Sequence, residues 1–183
     1  MRAAFPGARN PATQPMKKFV IAVANGFGFG HAPVASGTFG ALVGLPFAVA
    51  LTAIPNVFLQ AAVALALVLL AIPVCEAGEK HYGKKDPGQV VADEWMLLPI
   101  CFVGQAPVWD WLVAGNWAPA AAFVALAFVV SRVFDILKLF PAYRLQALHG
   151  GFGIVFDDFF ADLYAWVAIR LLWPPLFEAA FAG

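Results

Sequence analysis

Long apolar runs broken by short polar turns organise this chain. Residues 39–54 and 57–75 form two such runs joined by Pro55-Asn56, a turn that permits only an antiparallel hairpin. As helices they reach about 24 and 28 Å, close to the hydrocarbon thickness of about 30 Å. Residues 95–112 and 117–134 repeat the arrangement around Gly115-Asn116. Pro99, Gly104, Pro107 and Asp110 weaken the third run, which is expected to kink or re-enter. A last run starts near Asp158, and Trp173-Pro174-Pro175 is expected to end it.

Two hairpins in series bring residues 17–38, 76–94 and 131–158 to one side. Ten of the eleven basic residues fall there, Arg170 being the exception. The positive-inside rule makes that side cytoplasmic. The predicted fold is therefore all-α: a polytopic membrane bundle of about four to five apolar helices, with polar loops converging on the cytoplasmic face. Residues 1–16 read as a flexible tail and 17–183 as one membrane-embedded domain. The basic start followed by FVIAVANGFGFG imitates a signal peptide with Ala32-Pro-Val-Ala35 as its cleavage site, but its apolar run is short and the glycines suit a structured loop better.

Composition agrees with a membrane protein, since 62% of residues are hydrophobic and 12% charged, against about 25% charged in soluble domains. The formal net charge of zero excludes a strongly basic nucleic-acid binder. Cys75 and Cys101 lie inside apolar runs, have no partners at metal-ligand spacing and read as buried thiols.

Three polar constellations interrupt the apolar background. The stretch NGFGFGHAPVASGTFG, residues 25–40, places Ser36-Gly37-Thr38 at a helix start, where backbone N–H groups bind anions and a hydroxyl can cap. It lacks the spacing of a P-loop, and a tightly packed capped turn is the simpler explanation of it. The second constellation runs from Asp86 to Asp93-Glu94-Trp95, and its acids at a helix N-terminus also suit the helix dipole. Upstream, Glu76, Glu79 and Lys80 have the spacing of a solvated helix face.

The third is the most informative. Arg132, Asp135 and Lys138 recur every three residues along one helical face, and His149-Gly150-Gly151 leads into Asp157-Asp158, with Asp162 one turn further. Ionisable groups are expensive beside lipid, so a cluster of them points to use. Asp93, Glu94, Asp135, Asp157 and Asp158 supply hard oxygen donors suited to Mg²⁺, which takes one or two carboxylates and shares phosphate oxygens. Zinc would require Cys or His clusters, whereas His31, His81 and His149 are scattered. A phosphate ester would be neutralised by the metal and by Arg132, Lys138 or Arg144, with Ser36, Gly37 and Thr38 as further anion-binding candidates.

Taken together, Ala35-Ser-Gly-Thr38-Phe-Gly40, Asp86 with Asp93-Glu94, Phe134-Asp135-Ile-Leu-Lys138 and His149-Gly-Gly-Phe-Gly153 before Asp157-Asp158 resemble the phosphatidylglycerophosphatase A family over about residues 19–172. One departure is visible: Leu139-Phe140 stands where proline is expected directly after the motif lysine. The resemblance implies a magnesium-dependent bacterial enzyme of phospholipid synthesis that hydrolyses phosphatidylglycerophosphate to phosphatidylglycerol and inorganic phosphate. The chain has no DxDx[TV] nucleophile, no Cys-x5-Arg loop and no Ser-Gly-His motif, which leaves a metal-activated water. Asp135, Lys138, His149 and Asp157 are then the catalytic candidates, with His149 as proton donor to the leaving oxygen or as a turn-stabilising donor.

Two rivals remain at the level of sequence. A phosphatase of another lipid, such as phosphatidic acid, would use the same residues. A small cation transporter would place its charges mid-span, whereas among the acids only Asp110 and Asp162 lie inside predicted spans. There is no repeat of the kind that inverted-repeat transporters carry.

Overall fold

The computed structural model describes residues 13–181, which fold into helices and connecting turns. The helices are α1 (Thr13–Ala24), α2 (Ser36–Leu51), α3 (Val57–Tyr82), α4 (Ala92–Leu97), α5 (Val108–Val113), α6 (Trp117–Leu137), α7 (Ala142–Leu145) and α8 (Gly151–Phe181). Short 3-10 turns occupy Gly26–His31 and Leu98–Phe102. Of the tail expected over residues 1–16, residues 1–12 lie outside the described residues, and Thr13–Met16 begin α1. Among the described helices, α3 and α6 are long and apolar enough to cross a membrane.

The first hairpin forms where the turn chemistry places it. Asn56 caps α3, its Oδ1 accepting from the Phe58 and Leu59 amides at 2.9 and 3.1 Å. This satisfies two of the donors that a helix start leaves open. The helix outruns its apolar stretch, passes Pro73 and stops at Gly83, whose φ of 64° closes the C-terminus. Glu76 and Lys80 pair at 2.5 Å on its exposed final turns.

The third apolar run is not a helical span. It divides into α4, the 3-10 turn, an irregular link over 103–107 and α5. Pro99 and Pro107 each lack an amide donor, and Gly104 adopts φ 63°. The segment is apolar because it is core: Leu97, Leu98, Pro99, Cys101 and Phe102 are almost wholly inaccessible. Neighbouring side chains satisfy its irregular backbone. Gln60 Oε1 accepts from the Gly104 amide at 2.8 Å, Trp166 Nε1 donates to the Val103 carbonyl at 2.8 Å, and Arg170 donates to the Gly104 carbonyl at 3.0 Å.

The last helix departs from expectation at both ends. It starts at Gly151, seven residues before Asp158, and continues through Pro174 and Pro175. Gly151 lies against the Ile72 carbonyl of α3 so tightly that a Cβ would collide with it. Beyond the prolines, Phe177 stacks on Trp111 at 5.6 Å and packs against Trp173, so tertiary contacts hold turns that proline disfavours. Asp157, Asp158 and Asp162 thus all lie inside one helix.

Candidate active site

The N-terminal ends of α2 and α8 meet the C-terminal end of α6 and short α4 around a polar cavity of about 200 Å³. Its lining includes Ser36, Gly37, Asp86, Asp93, Glu94, Asp135, Lys138, Asp157 and Asp158. The three sequence stretches predicted to share one side all contribute to it.

On α6, three-residue spacing places Arg132, Asp135 and Lys138 along one face. Arg132 forms an ion pair with Glu94 of α4 and lies 3.3 Å from Asp135. Lys138 is the C-terminal cap of α6 in a left-handed conformation, φ 39°, which turns it across to α8. There its Nζ donates to Asp157 Oδ2 at 2.5 Å and lies 3.4 Å from Asp158 Oδ1 and 3.7 Å from Asp135 Oδ1. Burial alone would lower the Lys138 pKa, but Asp158, Asp157 and Asp135 outweigh it and hold the ammonium well above its ordinary value.

The carboxylates lie closer together than their two cations can neutralise. Ligand oxygens from Glu94, Asp135 and Asp158 fall within 4.8 Å of one another. Burial, followed by the charges of Glu94 and Asp86, pushes Asp93 well above the usual carboxylate range. Burial likewise drives Glu94 to about 7 although Arg132 opposes it. Asp93 Oδ1 and Asp157 Oδ1 are buried with no hydrogen-bond partner. Since buried polar atoms are almost always paired, these two mark places where something else can bind. Gly37 sits directly against the Glu94 carboxylate and Arg132, where a Cβ would strike Glu94 Oε1.

Not every candidate reaches the cavity. Ser36 and Gly37 line it, but Thr38 does not, and neither hydroxyl caps α2, whose N-cap is Ala35. Arg132 stands behind the lining, committed to two acids. Arg144 is exposed beside the Phe140 and Tyr143 rings, and His149 is exposed on the turn before α8. Asp162 faces the core beneath, where it accepts from Ser131 Oγ at 2.6 Å. Asp86, noted in the sequence with Asp93-Glu94 but given no ligand or catalytic role, joins the lining together with Gly88. Asp86 arrives through a turn with φ 44°, and the adjoining Pro87-Gly88 was the available signal.

The family profile described as phosphatidylglycerophosphatase A matches residues 22–173. The chain is 32% identical over 162 residues to phosphatidylglycerophosphatase A of Haemophilus influenzae, covering 85% of this chain and 92% of that protein. It is also 32% identical over 142 residues to phosphatidylglycerophosphatase A of Escherichia coli, covering 77% and 76%. A Bacteroides thetaiotaomicron protein named as a candidate phosphatidylinositol-3-phosphatase is 29% identical over 159 residues, or 82% of this chain and 91% of that one. No solved structure matches. A match across most of the chain, enclosing every residue of the acidic cavity, shows that it belongs to the phosphatidylglycerophosphatase A family and is a phosphatase acting on a phosphate monoester.

Proposed function

We propose that the protein hydrolyses the terminal phosphomonoester of phosphatidylglycerophosphate, releasing phosphatidylglycerol and inorganic phosphate, with Mg²⁺ held by Glu94, Asp135 and Asp158 and by Asp93 alongside. The observation that carries this reading is the gathering of six carboxylates in one cavity at the ends of apolar helices, four of them paired with Arg132 or Lys138. The donor set fits the ion: all are hard oxygens, three fall within 4.8 Å, and two further oxygens lack partners. A bound Mg²⁺ would neutralise phosphate charge and acidify a water.

The chain's own groups account for the remainder. Lys138 presents a fixed positive charge to the phosphate, kept in place by Asp157 and Asp158. Ser36 and Gly37 open α2, whose first amides have no intrahelical acceptors and so suit an anion. Arg132 holds Glu94 and Asp135 in position. Asp157 accepts a proton from the attacking water as its oxygen bonds phosphorus, and the glycerol oxygen leaves with a proton as the P–O bond breaks. His149 lies outside the cavity, so solvent is the simpler source of that proton.

Helices α3 and α6, joined by α2 and α8, make a multi-pass bundle in our reading. Lys84 and Lys85 directly after α3, and Lys138 after α6, lie at the cavity end, which favours a cytoplasmic active face in a bacterial inner membrane. The apolar helices would keep the acyl chains in the bilayer while the head group enters the cavity.

The test is phosphate release by detergent-purified protein from phosphatidylglycerophosphate, phosphatidic acid and phosphatidylinositol 3-phosphate, with and without Mg²⁺. Release from the first lipid that needs Mg²⁺ and collapses in Asp158→Asn supports the reading. Preference for another lipid, which the Bacteroides relative makes worth including, would move the substrate. No release from any of them by folded protein would overturn this assignment of the substrate.

A further inference from the structure

Beneath the cavity floor, side chains from two other elements meet at one buried carboxylate of α8. Asp162 of α8 is 4% exposed and accepts from Ser131 Oγ of α6 at 2.6 Å. The Cys101 thiol, on the 3-10 turn that continues α4, points at the same Asp162 Oδ1 from 3.5 Å. Ser131 is 1% exposed and Cys101 wholly buried, so the node is closed to solvent.

Its position in the helices gives the node its meaning. Asp162 lies one turn after Asp158 on α8, and Ser131 one turn before Asp135 on α6. Cys101 follows Glu94 by seven residues on a segment without a break between α4 and the 3-10 turn. Residues four apart lie on the same helix face. The three elements tied together at Asp162 are therefore the three that supply Glu94, Asp135 and Asp158, whose oxygens come within 4.8 Å of one another. Burying a carboxylate is costly unless it is hydrogen-bonded, so an ordinary core would place an apolar residue here.

We infer that Asp162, through Ser131 and Cys101, is a positioning residue that fixes α4, α6 and α8 in the register in which Glu94, Asp135 and Asp158 share one cation. This inference rests on the proposed metal reading. Asp162 touches neither substrate nor ion; it sets the spacing of groups that do. An amide oxygen can accept the same two donors, so the arrangement needs the acceptor at this place more than the charge.

The experiment measures Mn²⁺ binding to the detergent-purified full chain by electron paramagnetic resonance of the free ion, together with the half-saturating Mg²⁺ concentration and KM for lipid phosphate release. Asp162→Ala and Ser131→Ala are expected to weaken Mn²⁺ binding at least tenfold and to raise the Mg²⁺ requirement to match. KM for lipid at saturating Mg²⁺ should stay within twofold. Asp162→Asn should restore binding to within threefold of the parent, and Asp162→Ala combined with Ser131→Ala should cost little more than either alone. If Asp162→Ala proves too unstable to purify, Ser131→Ala and Asp162→Asn decide the matter. Loss of thermal stability with unchanged Mn²⁺ affinity would make the node purely structural and overturn the inference. Failure of the unsubstituted protein to bind Mn²⁺ would instead overturn the metal reading beneath it.

Discussion

Lys138 Nζ lies 2.5 Å from Asp157 Oδ2, joining the last residue of α6's turn to the second turn of α8. The lysine is a quarter exposed and the aspartate 4%, so the pair stands at the lip of the cavity with its charge facing in. Opposite charges at this distance and burial are strongly coupled, and removing one partner leaves the other exposed to its neighbours' repulsion. Lys138→Met is therefore expected to lower kcat for phosphate release by about 10² to 10³-fold, the usual cost of losing one preorganised electrostatic donor. Lys138→Arg, which keeps the charge but changes its shape, should recover only part of it.

Gly37 is the second point of sensitivity. The atom that a new Cβ would strike is the end of the Glu94 side chain rather than backbone, so the helix can still form while the carboxylate is displaced. Gly37→Ala should fold with a nearly unchanged thermal midpoint yet lose more than tenfold in phosphate release. Equal loss of folding and activity would show that the glycine serves packing alone.

Asp93 carries the opposite balance. Its Oδ1 is buried without a partner, and other carboxylates surround it. Asp93→Asn removes a charge that burial and the Glu94 and Asp86 carboxylates disfavour, and should raise the stability of the metal-free protein by about 1 kcal/mol, the order of one unit of raised pKa. Activity should fall at the same time. A thermal melt with chelator, set beside the phosphate assay, reads both effects.

Mg²⁺ should stabilise the folded protein. A ligand that binds only the native state at a hundred times its Kd adds about 2.7 kcal/mol. The melting midpoint of the parent protein should rise with added Mg²⁺ and fall on chelation, and the shift should shrink in Asp158→Asn. A midpoint indifferent to Mg²⁺ would place the ion outside this cluster.

Far from the site, Trp166→Phe removes the donor to the Val103 carbonyl, 2.8 Å away. Leaving that carbonyl unpaired should cost about 1 to 3 kcal/mol. Activity per folded molecule should not change. Denaturation in detergent separates the two effects.

What could be seen in advance divides along physical lines. The α2–α3 hairpin was legible because Asn56 gives local capping chemistry, and the Arg132, Asp135 and Lys138 face because a three-residue period survives into the helix. The breaks in the 95–112 run were legible in Pro99, Gly104 and Pro107, but its place in the core was not, since hydropathy cannot distinguish residues hidden in protein from residues facing lipid. Its satisfaction by Gln60, Trp166 and Arg170 depends on partners 44 to 66 positions away. Pro174-Pro175 signalled a stop that stacking of Phe177 on Trp111 overrides. Among the site residues, the acids were visible as unusual charges in an oily chain. That Arg144 and His149 lie outside the cavity could not be read, because each belongs to a turn whose direction is set by tertiary packing.

The buried segment from Leu97 to Phe102 also bears on how the proposed reaction turns over. Its Leu98 and Phe102 pack with Phe123 of α6 and Ile169 of α8 in one apolar layer. In the reading proposed above, the head group and the freed phosphate then exchange on the open side of the cavity. Accumulated phosphate would compete there with the next lipid for entry.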